Sequence, residues 1–119
     1  MDQISSSFDL PRLGVSARWA RAGERLTVIV VGELDIATAP PLAHHLLEVV
    51  RAGDTVVVDL ERVEFCGAAG VQLLVELRDH VAALDGRLVL RAPSRPVLKV
   101  LAVTQLTAGF EVAGPSRGT

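Results

Sequence analysis

Apolar and polar positions change period several times along the chain. Val15, Ala17 and Trp19 alternate with Ser16, Arg18 and Ala20, the two-residue period of a strand. Ala22-Gly23 marks a turn. Leu26 to Val31 is an almost unbroken β-branched run, which predicts a central strand covered on both faces and paired with the first as a hairpin. Gly32 to Ala37 reads as a loop, with Thr38 as the N-cap of a helix whose first turn tolerates Pro40 and Pro41. Ala39, Leu42, Ala43, Leu46, Leu47 and Val50 then recur at helical spacing up to Gly53, predicting a helix over about 38–52. Thr55 to Leu60 is a second buried strand. Gly70, Leu73, Leu74, Leu77, Val81 and Leu84 line a helix over about 68–84, closed by Gly86. Leu88 to Leu90 makes another strand, Pro93-Ser94 opens a short helix through Val97 and Leu101, and Phe110 to Val112 makes a last, weak strand.

The order β-β-α-β-α-β-α-β predicts one α/β domain with a mixed, mainly parallel sheet packed with helices. Residues 1–12 read as a flexible N-terminal arm from which Phe8 and Leu10 can dock, residues 13–113 as the domain and residues 114–119 as a polar tail. A chain of 119 residues in one domain has a radius of gyration of about 13–14 Å.

Composition narrows the function classes. Half the residues are apolar and the net charge is −2, so no basic surplus is present to neutralise phosphates and nucleic-acid binding is not expected. No wholly aliphatic run exceeds four residues, as at Val28 to Val31, which is far too short to span a bilayer. The first seven residues lack the basic start and apolar stretch of a secretory signal. The single cysteine, Cys66, makes no disulfide within the chain, which fits a reducing compartment, the cytoplasm.

Catalytic signals are weak. His44 and His45 are adjacent on one helix, about 100° apart, and His80 lies on another, so no metal-ligand spacing results. Gly-x-Ser-x-Gly, Walker A and Gly-x-Gly-x-x-Gly patterns are missing. Glu33, Asp35, Asp59, Glu61 and Glu64 gather after strands, but nothing fixes a partner base, and loop solvation or turn capping accounts for them. No enzyme activity, cofactor or metal is expected. Gly67-Ala68-Ala69-Gly70 puts small residues at a strand–helix junction, read first as a tight turn with close packing and second as an anion-holding helix start. Cys66, just ahead of it, is either a small core residue or a thiol activated by the helix N-terminus.

Two segments together carry a resemblance. Gly32-Glu33-Leu34-Asp35-Ile36-Ala37-Thr38-Ala39-Pro40 resembles the first loop and helix start of the STAS domain family, the anti-sigma factor antagonists of bacteria. Val57-Val58-Asp59-Leu60 followed by Val63-Glu64-Phe65-Cys66-Gly67-Ala68-Ala69-Gly70-Val71 resembles that family's signature strand, loop and second helix. The resemblance spans roughly residues 13–113. It implies a regulator that binds an anti-sigma factor of the GHKL kinase type and so frees a sigma factor for transcription. It also implies a phospho-switch, because the kinase modifies a serine at the start of the second helix, and a phosphate's charge of about −1.5 to −2 blocks the contact. The family pattern there is Asp-Ser-Ser-Gly. This chain has Gly67 at the aspartate position and Ala69 at the acceptor serine, a degenerate phosphosite without a hydroxyl. The partner-binding residues implied are Glu33, Asp35, Thr38, Cys66, Gly67, Ala68, Ala69 and Gly70. The alternatives are a STAS scaffold or assembly module, and a small-anion or nucleotide sensor at Gly67 to Gly70.

Overall fold

The computed structural model describes residues 4–115, with side chains described from residue 6. Its elements are β1 (Ile4–Leu10), β2 (Val15–Ala22), β3 (Arg25–Leu34), α1 (Ala39–Val49), β4 (Thr55–Cys66), α2 (Ala68–Ala83), β5 (Arg87–Arg91), α3 (Arg95–Val103), a 3₁₀ turn (Thr107–Gly109) and β6 (Glu111–Ala113). They form one six-stranded sheet in the order β1-β2-β3-β4-β5-β6. The β1–β2 and β2–β3 pairs are antiparallel, and the three pairs from β3 to β6 are parallel. The radius of gyration is 13.2 Å.

The consecutive parallel strands step in one direction across the sheet. Right-handed crossovers therefore put α1, α2 and α3 on the same face. The burial agrees. Leu26, Val28 and Val30 of β3, Val56, Val58 and Leu60 of β4, and Leu88 and Leu90 of β5 share one core with Leu42 and Leu46 of α1, Leu73, Leu74, Leu77 and Val81 of α2, and Val97 and Leu101 of α3.

The alternate positions look the other way. Ile29 and Val31 are exposed, which corrects the expectation that β3 is covered on both faces. With all three crossover helices on the opposite side, no element of the described residues covers this face. Val57 and Val89 are nonetheless buried there. Ion pairs flank them, Arg91 with Asp59 on neighbouring strands at 3.1 Å and Arg87 with Glu111. The long side chains of such pairs shield apolar sheet surface from water.

Residues 4–10, expected within a flexible arm, form β1, an antiparallel edge strand on β2. Phe8 docks, its ring 4.4 Å from that of His45 on α1, and Leu10 packs against the core. Residues 1–3 of the expected arm and 116–119 of the expected tail lie outside the described residues.

At the sheet end where the parallel strands begin, Arg21 and Asp54 form a buried bidentate pair. The guanidinium nitrogens donate to Oδ1 at 2.7 Å and Oδ2 at 2.8 Å, and one also donates to the Val49 carbonyl at 2.9 Å. Asp54 Oδ2 accepts the Arg51 N–H at 2.7 Å. This pair ties β2 to the chain between α1 and β4. The Arg21 hydrogen bonds hold the Asp54 carboxyl below its ordinary pKa.

Candidate functional site

The opposite end of the sheet carries the two junctions singled out in the sequence. Strand β3 runs on to Leu34 and β4 to Cys66, beyond the limits expected from periodicity. Register shifts near Ile29/Val31 and Gly32/Glu33 let this end of β3 follow β4. Glu33 lies beside Phe65 and Leu34 beside Cys66. The Gly67 N–H then donates to the Leu34 carbonyl at 3.0 Å. One hydrogen bond thus staples the start of α2 to the start of the β3–α1 loop.

That loop is ordered by its own side chains. Asp35 Oδ1 accepts the N–H groups of Ala37 and Thr38, each at 2.9 Å. These bonds, led by the one from Thr38, lower the Asp35 pKa. Thr38 is fully buried; its hydroxyl donates to the Glu33 carbonyl at 2.7 Å and accepts the Asp35 N–H at 2.9 Å. Thr38 does occupy the N-cap position of α1, as expected, but not as a side-chain cap. Thr38 is itself in a helical conformation and makes no side-chain cap bond. Asp35 performs the capping one turn earlier, because an Asx side chain reaches the N–H groups two and three residues on.

At the second junction, Gly67 is extended and Ala68 begins α2. Gly70 is buried where the helix meets β3. A Cβ on it would lie 2.6 Å from Cys66 Sγ, 2.9 Å from Leu34 Cβ and 3.2 Å from the Leu34 oxygen. The close-packing reading of these small residues holds. Ala68 is exposed, and half-buried Ala69 faces a crevice of about 100 Å³ between α1 and α2, opposite Pro40 and Ala43 and beside Glu76.

Cys66 is buried, and burial pushes its thiol up to about 11. Burial of the thiol favours the small-core reading of Cys66 over the activated thiol, because desolvation disfavours the thiolate. Glu33 also points elsewhere. Its carboxylate lies over Gly14, where a Cβ would fall 2.0 Å from Oε1. The junctions thus bring Asp35, Thr38 and Gly67 to Gly70 together, with Cys66 beneath and Glu33 turned toward β2.

Sequence reasoning missed what stands around them. Ile36 is 84% exposed and Phe65 49%. Between Phe65 and α3 runs an open groove of about 490 Å³, lined by Glu64, Phe65, Cys66, Arg95, Pro96, Lys99, Val100 and Val103. The signal available was an apolar stripe on α3 at Pro96, Val100 and Val103, separate from its buried stripe at Val97 and Leu101. Asp59 sits on the open sheet face in its pair with Arg91. His44 and His45 are exposed. Among the described residues no group of three His, Cys, Asp or Glu side chains could hold a metal ion, and no helix is long and apolar enough to cross a membrane.

A family description, "Mlab, STAS domain", matches residues 17–112. The chain belongs to the STAS domain family. Solved STAS structures agree with its fold. An anti-sigma factor antagonist from Mycobacterium paratuberculosis superposes with a TM-score of 0.68 at 26% identity, over 83% of this chain and 85% of that one. Unphosphorylated SpoIIAA, an anti-sigma factor antagonist, gives 0.67 at 23% identity, over 81% and 84%. A protein of Thermotoga maritima described as a putative anti-sigma factor antagonist gives 0.65 at 17%, over 80% and 83%. No curated protein matches at a significant level. The STAS domain is thus a single α/β unit of six strands and three helices, similar in structure to anti-sigma factor antagonists.

Proposed function

We propose that this STAS domain is a non-enzymatic regulator that binds an anti-sigma factor of the GHKL kinase type and so frees a sigma factor for transcription. A partner of that kind puts its work in the cytoplasm. The observation that carries the reading is the hydrogen-bonded pair of junctions, the Gly67 N–H on the Leu34 carbonyl, with Ile36 and Phe65 exposed on the chain next to them. Apolar groups presented on a preorganised backbone are what a protein partner recognises, since little ordering entropy is lost on binding. Likeness to the mycobacterial antagonist supports the class of partner.

The domain binds without being a substrate. No serine, threonine or tyrosine occurs from Val56 to Leu77, and Ala69 stands at the acceptor position that the resemblance implies. Co-purification and calorimetry with the anti-sigma factors of the source organism test the reading. The expected result is a complex that persists through ATP hydrolysis, with Ile36→Asp or Phe65→Asp weakening it. Failure of the wild type to bind any of them would overturn the proposal. The same missing hydroxyl favours the second reading, a scaffold module with no phospho-switch, and capture of another STAS or sensor protein in its place would support that.

A further inference from the structure

The groove beside Phe65 carries a charge pattern of its own. Residues Pro96, Lys99, Val100 and Val103 recur at i, i+3, i+4 and i+7 along α3 and form its groove-facing side. Three of the four are apolar, and Val103 is 73% exposed. Arg95 and Lys99 stand on this rim, and among the described residues neither takes part in an ion pair. Helix α3 has no acidic residue, and Glu64 is the single carboxylate of the groove. An acidic chain, net −2, thus gathers two unpaired cations, one of them its only lysine, along an apolar furrow. Phe65 and Cys66, the last residues of β4 before α2, line its other side.

We infer that this groove seats an acidic amphipathic helix of the protein partner, with apolar side chains between Phe65, Val100 and Val103 and carboxylates on Arg95 and Lys99. A helix laid in a groove reads its partner through apolar anchors at this same spacing. Opposite charge on the rim sets orientation and rejects basic segments. The groove is open along its length, which suits a macromolecular segment more than an enclosed small ligand. The inference rests on the reading of this sheet end as a partner surface and adds the chemistry of what docks there.

The test uses the full chain and a synthetic helical peptide of about four turns with leucines at i, i+3 and i+7 and glutamates beside them. Reductive ¹³C-methylation of Lys99 gives an NMR signal inside the groove. The acidic peptide should move that signal, and its affinity should fall with added salt. Lys99→Glu and Val103→Asp, both at exposed positions, should each weaken binding at least about tenfold with thermal melting unchanged. A peptide with lysine in place of every glutamate should bind the Lys99→Glu variant better than the wild type. Absence of acidic-peptide binding, equal binding of the two peptides, or binding that survives both substitutions would overturn the inference. So would a response to phosphatidylglycerol vesicles alone. If Val103→Asp still binds an anti-sigma factor at wild-type affinity, the groove inference fails and the proposed function stands. If the acidic peptide binds as described and no anti-sigma factor does, the reverse holds.

Discussion

Replacing Gly70 with alanine probes the contact on which the candidate surface depends. The added methyl would lie 2.6 Å from Cys66 Sγ, 2.9 Å from Leu34 Cβ and 3.2 Å from the Leu34 oxygen. None of these neighbours yields easily. Leu34 is fully buried, and its carbonyl already accepts the Gly67 N–H. Overpacking of this kind costs about 1–3 kcal/mol. Alanine's better helix propensity offsets at most about 1 kcal/mol. A net loss of about 1–2 kcal/mol follows, or about 5 °C in melting temperature for a domain of this size. Urea unfolding should show a lower midpoint with an unchanged slope. The Gly67 amide should exchange faster, because moving α2 away from Leu34 lengthens the bond that joins the junctions. Cys66→Ala combined with Gly70→Ala should cost about 0.5–1 kcal/mol less than the two singles summed, since it removes the nearest obstacle. If Gly70→Ala is as stable as the wild type and leaves Gly67 exchange unchanged, the junctions are not packed as described.

Asp54→Asn leaves the Arg21 charge buried without its counter-ion and should cost about 3 kcal/mol by denaturant titration, whereas a neutral result would refute a structural role for the pair. The lowered Asp54 pKa sets the sign of the acid response: its stabilisation is complete above the unfolded carboxyl value of about 3.9 and is lost as pH falls through the lower folded value, so the wild type should lose more stability than Asp54→Asn below about pH 4. Thr38→Val keeps the shape of the side chain but strands the Asp35 N–H and Glu33 carbonyl, an expected loss of about 1–3 kcal/mol in the same assay. A disulfide reagent should label native Cys66 slowly at neutral pH and quickly in denaturant, and rapid native labelling would contradict the burial that raises its pKa.

Much of the fold was legible because period maps onto burial. The stripes through Leu42 and Leu46, and through Leu73 and Leu77, read as helices and lie in the core. The almost unbroken run at Leu26 to Val31 points the wrong way, since apolar residues on both sides of a strand normally mean two covered faces. Here Ile29 and Val31 look outward on a sheet whose crossover helices all lie on the other side. Strand β1 was hidden by its serines, which carry little strand propensity, and its place depends on pairing with β2 and on Phe8 meeting His45. The candidate site was legible as a sequence motif and not as a surface. Asp35 and Gly67 to Gly70 stood out by residue type, but Ile36, Phe65 and Val103 look like core residues until their exposure is known. Thr38 is a cap candidate by residue type, and only the hydrogen bonds assign the side-chain capping to Asp35.

The most direct measurement compares the wild type with the Gly67→Asp/Ala69→Ser variant against an anti-sigma kinase of the source organism, with and without ATP. Gly67 has φ −96° and ψ −168°, an extended N-cap geometry open to aspartate, and the added Cβ would lie 3.2 Å from the ring of Phe65, an exposed side chain with room to shift, so the variant should fold. Both proteins should bind the kinase when ATP is absent. With ATP, the wild-type complex should persist unmodified. The variant should take up phosphate at the introduced serine and dissociate, because about −1.5 to −2 charges then enter the crevice beside Glu76. If neither protein binds any anti-sigma kinase of the organism, the account of this domain as an antagonist is contradicted.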